Sequence, residues 1–492
     1  MAKERKSSAK AQKPAQAITP AAPSSEIGRS ISDSLTSQQN SIQNPPHYAF
    51  KVDEKGLSES VVREISKSKG EPDWMLQKRL TAYKLFKSKP MPSFGPDLSK
   101  LNLDDLTNYV RPEGQSTRSW NEVPDYIHKT FDRLGVPKAE RDFLAGVSAQ
   151  YDSEVLYHNI QKELEEQGVL FMGMDQALIE HPELVKKYFM TTCVPAGDNK
   201  FSALHGAVWS GGSFVYVPKG VKVSKPLQIY FIMNYPQYGQ FEHTIIVAEE
   251  GSELQYIEGC TAPHYSSASL HSAVVEIFAK KDSRVRYTSV QNWSKNVYNL
   301  NTKRALVDEN ATMEWVSGTL GSGVTMLYPC SVLQGKGARA DHLAIAFAGE
   351  GQVKDSGGKV IHEAPDTHSV VLSKSISIGG GHNTYRGLER IMPGCKGAST
   401  HVRCDSMILD EKSSASTIPS MDIREKDVSA GHEATVGKIS AEQLMYLRSR
   451  GISEEEATRL IIAGFIEPVL KALPLEYAVE INRLIEMEIE GM

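Results

Sequence analysis

The hydrophobic pattern of the chain changes period twice. From about Leu57 to Phe189, apolar residues recur at helical spacing, as in SESVVREISKS and in PDWMLQKRLTAYKLFKS with Trp74, Leu76, Leu80, Tyr83 and Leu85. PDYIHKTFDRLG places Pro124 at a first helical position and Gly135 as a terminator. PKAERDFLAGVSAQYDSEVLYHNI and DQALIEHPELVKKYF extend the helical reading. Around Thr192 the pattern switches to short alternating runs that end in Gly, Asp or Asn, such as SFVYVPKG, LQIYFIMN and HTIIVAEEG, which predict strands as far as Ile439. Helical spacing then returns. Ser440 with Gln443 and Ser453 with Glu456 fit capping boxes, Gly451 separates two helices, and Pro474 opens a third.

The strand region repeats. A turn residue, a small polar residue and a strand recur from Gly251, Asp282, Asn310, Gly337, Asp366, Gly397 and Asp427, at a spacing of about 30 residues. Several strands per repeat and no helix point to a β-helix, in which equivalent strands of successive coils stack in parallel. Propeller blades are longer and antiparallel; a two-sheet sandwich is the second choice. The predicted organisation is a disordered tail (1–48), a helical N-terminal domain (49–191), a β-helix core (192–439) and a C-terminal helical domain (440–492). The tail is rich in Ser, Ala, Gln, Lys and Pro, with too little apolar surface to offset its ordering entropy. Its basic start resembles a transit peptide, but it lacks the Arg-bearing amphipathic pattern, so a solvated tail is the reading preferred. The C-terminal helices can cap the solenoid end, dock a partner, or both.

Composition narrows the function. A net charge of −5 over 492 residues offers no basic surface for nucleic acid. No apolar run approaches the roughly 20 residues that span a bilayer. Cys193, Cys260, Cys330, Cys395 and Cys404 are odd in number, far apart and without a CxxC pair. They predict neither a disulfide framework nor a structural zinc site, and point to a reducing, cytoplasmic setting.

Stacked coils bring equivalent residues to about 4.8 Å. Cys404 and His432 hold nearly the same place in adjacent repeats, so thiol and imidazole are expected to meet and hold iron or sulfide, with Glu433 as a third ligand. Glu433 alternates to the other face of an ideal strand, so its participation requires a bulge, expected near Gly431. The competing readings are a small buried cysteine and a satisfied histidine. Cys260 lies five repeats earlier, roughly 24 Å away, which excludes direct attack on Cys404. Gln291, Trp293 and Lys303 follow in the next repeat, where a lysine lowers a thiol pKa; ordinary cross-strand packing is the alternative for each. A cysteine hydrolase built on Cys404 and His432 lacks a nucleophile elbow. A carbohydrate-active β-helix would need paired acids along a groove.

The stretches VYVPKGV (215–221), GQFEHTIIV (239–247), EGCTAP (258–263), VQNW (290–293), TKR (302–304), TYRGL (384–388), CDSM (404–407), HEAT (432–435) and RGISEEEA (450–457) resemble the Suf iron–sulfur cluster assembly family, its SufB branch in particular. The resemblance implies a right-handed parallel β-helix between helical regions and a scaffold on which clusters are built, not an enzyme. It implies a complex with a SufC-like ABC ATPase at the C-terminal helices and a SufD-like paralogue or second SufB copy. A cysteine desulfurase and its relay protein would supply sulfur, and apo iron–sulfur proteins would receive the cluster. The implied cofactors are a transient iron–sulfur cluster and, in the complex, reduced flavin. By the same resemblance Cys260 receives sulfur, Gln291, Trp293 and Lys303 line an internal route, Cys404 holds sulfur at the assembly site, and His432 and Glu433 are ligands. The SufD-like adaptor, without its own cluster site, is the alternative, and the presence of Cys404 favours SufB. Two positions depart from the family pattern: Gly431 stands where many members carry Glu, and Ile232 where others carry Arg. One thiolate, one imidazole and one carboxylate fall short of the four thiolates of a stable cluster, which suits a donor that holds its cluster weakly.

Overall fold

The structure, a computed structural model, describes residues 48–114, 116–119, 122, 144–263, 265–473 and 478. The N-terminal tail, the Pro124–Gly135 helix and the third C-terminal helix expected from Pro474 lie outside these.

Each repeat start seen in the sequence stands two residues before a strand. The strands are Glu253–Thr261, Arg284–Trp293, Thr312–Gly321, Arg339–Ala348, His368–Ser377, Ser399–Ile408 and Ser429–Lys438. They stack in this order, all parallel, and continue through Leu227–Ile232 to Gly146–Tyr151 in one ten-stranded sheet. A second sheet, with strands such as His243–Ala248, Val274–Ala279, Val297–Val307, His382–Ile391 and Ser414–Ile423, forms the opposing wall. The chain is a parallel β-solenoid of about eight turns. The parallel pairing excludes the antiparallel sandwich.

The repeat starts are turn residues for a physical reason. The backbone turns left-handed at Gly251, Asp282, Asn310, Gly337, Asp366 and Gly397, with φ between 55° and 72°. Only Gly, Asn and Asp adopt that conformation at low cost. Each of these residues then donates its N–H to the next coil, as from Gly251 to Lys281 O (2.9 Å) and from Asp366 to Lys396 O (2.9 Å). Inside, aromatic rings pack coil on coil: Tyr256 stacks on Tyr287 at 5.4 Å, and Tyr287 meets Trp315 in a tilted pair at 5.2 Å. Such pairs contribute about 0.5–1.5 kcal/mol each beyond area burial.

At Gly321, φ is +61° and an added Cβ would stand 1.7 Å from the Trp293 carbonyl oxygen of the coil below. Gly321→Ala is therefore expected to cost at least about 1–3 kcal/mol, read as a lower urea midpoint; an unchanged midpoint would show that this coil is loose.

The helices expected at both ends form in part. Glu59–Lys69 starts at Ser58, whose hydroxyl accepts from Val61 N, and Asp73–Ser88 follows. DQALIEHPELVKKYF becomes two short helices, Met174–Glu180 and Pro182–Tyr188, broken where Pro182 opens the second. At the C-terminus Ala441–Ser449 and Glu454–Leu470 are capped by Ser440 and Ser453, whose hydroxyls accept from Gln443 N (3.3 Å) and Glu456 N (3.2 Å). Gly451 sits at φ +86° just past the first, as a terminator should.

Two local readings are corrected. GVSAQYDSEVLYHNI is a hairpin, Gly146–Tyr151 with Glu154–Ile160, and not a helix. Its first strand is buried on both faces, so it shows no alternation. Asp152 makes the turn at φ +51°, and its buried carboxylate accepts from Asn234 N and Tyr235 N. Lys200–Val208, read as part of the strand region, is a helix with Asn199 and Ser202 as a capping box. It shows no one-sided apolar stripe because every residue from Phe201 to Val208 is buried. His205 ties it to the solenoid through His243 (2.9 Å), which contacts the buried Glu276 (3.0 Å).

Candidate functional site

On the strand Ser399–Ile408, Thr400, Val402 and Cys404 face the lumen and are buried. The strand pairs with Ser429–Lys438 in unbroken register: Val402 opposite His432, Arg403 opposite Glu433, Cys404 opposite Ala434. His432 is thus two positions from Cys404 but on the same face, and its imidazole reaches back to place Nε2 3.2 Å from the thiol sulfur. The expected bulge near Gly431 does not form. Glu433 stays on the other, exposed face, and only its backbone carbonyl lies by the thiol, at 3.6 Å. Alternation along a regular strand wins over the expected convergence of side chains. Among the described residues no three His, Cys, Asp or Glu side chains are arranged to hold a metal ion. Cys404 and His432 fit as two ligands of a metal or cluster; the Glu433 carboxylate does not fit as a third within one chain.

Tyr385, on the opposing wall, stacks its ring on His432 with centroids 6.2 Å apart. Burial pushes the Cys404 thiol up, and Asp405 adds to this; Thr417, beside it, pulls the other way without an aligned hydrogen bond of its own. Burial, with His401 nearby, holds His432 below its ordinary value, so at neutral pH the imidazole is neutral and can accept the thiol proton. Alkylation of Cys404 in the metal-free chain should therefore rise with pH to a midpoint above 9.0, the ordinary thiol value. A midpoint near 7, measured by mass spectrometry of the labelled peptide, would refute the buried-thiol geometry.

The other cysteine site lies five ladder steps away. Cys260 pairs directly with Gln291 on the next coil, and both are buried with Trp293 and Lys303. The Lys303 ammonium forms a buried ion pair with Glu258, and reaches Ser289 Oγ (3.2 Å) and Tyr287 Oη (3.4 Å). Burial works to raise the Glu258 carboxyl, but Lys303 and the hydroxyls outweigh it and hold the group below its ordinary value. Lys303 pulls the Cys260 thiol down, as expected of a lysine near a thiol, but it is paired with Glu258, and burial first, then Glu258 and Glu242, push the thiol well up. The thiol at rest is protonated. Gln291 donates to Ser289 Oγ (3.2 Å) and accepts from Asn299. His271 contacts Asn299 and Glu242 and packs on Trp293 at 4.4 Å.

The residues expected along an internal route, Gln291, Trp293 and Lys303, therefore cluster at the Cys260 end. From there the ladder to Cys404 runs through Glu258, Ser289, Ser317, Ala344 and Ser373. Sequence reasoning missed Glu242, Glu258, His271 and Asn299, although Glu242 and Glu258 stand inside the GQFEH and EGCTAP stretches. Beyond the solenoid, the two C-terminal helices and Met407 border a cleft of about 660 Å³ that includes Tyr446, Leu460 and Phe465.

Comparison with known proteins decides the family. Residues 231–465 match the description "SUF system FeS cluster assembly, SufBD core domain", and residues 63–229 match "SufBD protein N-terminal region". The chain belongs to the SufBD family of iron–sulfur cluster assembly proteins. An iron–sulfur cluster assembly SufBD family protein of Staphylococcus haemolyticus is 59% identical over 438 residues, covering 89% of this chain and 94% of the relative. Staphylococcus aureus relatives of the same description are 59% and 58% identical over the same coverage. These matches do not separate the SufB from the SufD branch. SufBD family members are assembly components rather than catalytic enzymes. No helix among the described residues of this SufBD protein is long and apolar enough to cross a membrane.

Proposed function

We propose that this SufBD protein is the SufB-type scaffold, on which iron and sulfide are assembled into a transient cluster at Cys404. The observation that supports this most is the Cys404 sulfur 3.2 Å from His432 Nε2, covered by the last coils of the solenoid. One thiol and one imidazole are half of a four-coordinate set, so the remaining ligands must come from sulfide, a partner or the apo recipient. A site completed from outside can be given up, as a donor requires. Its place near the final strand of the stack suits completion by a second subunit, either a SufD-like paralogue or a second copy. Cys260 is then the point of sulfur entry from a desulfurase and its relay protein, with Gln291, Trp293 and Lys303 as the first step inward. Reduced flavin in the complex would supply electrons. The C-terminal cleft is proposed to take a SufC-like ABC ATPase, because its lining residues Tyr446 (58% exposed) and Leu460 (50%) leave apolar surface uncovered there. The setting is proposed to be cytoplasmic, from the free thiols.

A second reading, a SufD-like adaptor without its own site, is supported by the outward-facing Glu433 and the incomplete ligand set. Anaerobic reconstitution with iron and sulfide, followed by Mössbauer spectroscopy of the chain alone and with an ATPase partner, separates the two. Cluster signal lost in Cys404→Ser supports the scaffold; no cluster on the wild-type chain under either condition supports the adaptor.

A further inference from the structure

The TYRGL stretch, Thr384 to Leu388, lies on the wall opposite Cys404. Its Tyr385 is 5% exposed, and its hydroxyl has no hydrogen-bond partner among the described residues. Four positions on, Glu389 is 2% exposed; one carboxyl oxygen accepts from Thr400 (2.9 Å) and the other has no partner. Thr417, the register partner of Tyr385 on the next strand, also has an unpartnered buried hydroxyl. Each unmet buried polar atom costs about 1–3 kcal/mol, and three together around one lumen point to an absent small guest. Gly387 makes the room. A Cβ there would stand 2.7 Å from the Tyr385 hydroxyl, so the phenol lies over the glycine toward Glu389. Glu389 and Cys404 are both near enough to raise the Tyr385 phenol, after burial.

We propose that Tyr385, Glu389 and Thr417 form a pocket that holds the outer sulfur of a persulfide carried on Cys404. This rests on the scaffold reading above. The pocket offers hydroxyl donors to a small, weakly charged acceptor. Burial pushes Glu389 up to about 8, so near neutrality its carboxyl mostly keeps a proton and can donate as well. A persulfide places its outer sulfur about 2.05 Å beyond Sγ. The loading step is an exchange. The Cys404 thiol gives its proton to His432 Nε2, and the thiolate attacks the outer sulfur of a donor persulfide, R–S–SH. The donor S–S bond breaks, a new S–S bond forms on Cys404, and the departing R–S⁻ takes up the proton. The products are Cys404–S–SH and R–SH, with no net change in electron count.

The full-length chain is loaded anaerobically with inorganic polysulfide, and the Cys404 persulfide is followed by alkylation and mass spectrometry. Tyr385→Phe keeps the ring on His432 and removes the donor; Glu389→Gln keeps the shape and changes the carboxyl; Gly387→Ala displaces the phenol. Tyr385→Phe and Gly387→Ala are expected to shorten the persulfide lifetime roughly three- to tenfold, the worth of one hydrogen bond. The lifetime in Glu389→Gln should become nearly independent of pH between 7 and 9. Melting curves check that the variants fold. If the wild type carries persulfide at Cys404 with a lifetime that none of the three alters, the pocket holds water only and the proposal is overturned while the scaffold reading stands. If the wild type takes no persulfide at Cys404, both fall.

Discussion

Replacing Lys303 with methionine is expected to destabilise the fold by about 3–5 kcal/mol, the cost of leaving one partner of a buried ion pair unpaired. Lys303 and Glu258 are both buried in the lumen, 1% and 3% exposed. In the wild type the Glu258 carboxyl is held below its ordinary value. Its contribution is therefore present above the unfolded carboxylate range and is lost as pH falls through the lower folded value. Without Lys303, burial dominates and the folded value rises above the unfolded one. The sign then reverses: the variant is most stable at low pH and loses stability as pH rises toward the new folded value. Removing both charges, as Lys303→Met with Glu258→Gln, should restore much of the loss. Urea unfolding of the three chains at pH 5 and pH 8 measures this. A Lys303→Met chain that is more stable at pH 8 than at pH 5 would contradict the pairing. Assayed for sulfur transfer as well, the double variant separates structural from transfer roles, since one that folds but fails to pass sulfur assigns the pair to the route.

The second large effect concerns the thiols. Cys404→Ser is expected to abolish cluster assembly from any sulfur source, because it removes the thiolate of the proposed assembly site. Cys260→Ser should block assembly from desulfurase-derived sulfur while leaving partial assembly from free sulfide. The two residues are five ladder steps apart, roughly 24 Å at the strand spacing. That separation lets one be lost without the other. The readout is the charge-transfer absorbance of the reconstituted chain with each sulfur source. Equal activity of both variants on free sulfide would remove the two roles.

Much of the solenoid was legible because its turns need residues of a particular kind. Gly251, Asp282, Asn310, Gly337, Asp366 and Gly397 take a left-handed backbone, and few residues accept it, so the period surfaced in the composition. The strand hairpin at Gly146–Ile160 and the helix Lys200–Val208 were not legible, since elements buried on every side lose the alternation that identifies them.

The site divides in the same way. Sequence alone brought Cys404 and His432 together, because the repeat fixes which residues stack and strand alternation keeps them on one face. It also placed Cys260 far from Cys404, because the number of coils between them can be counted. Only the tertiary structure decided that Glu433 faces outward, since a bulge is a choice of local backbone that no spacing specifies. Only it showed Lys303 bound to Glu258, and Tyr385 laid over Gly387 toward Glu389. The Lys303–Glu258 contact joins the two walls across the lumen, and which side chains meet there depends on where each wall's strands start, whereas Tyr385, Gly387 and Glu389 lie along one strand. The repeat determines neighbours along the stack, whereas the chemistry across it is decided by packing.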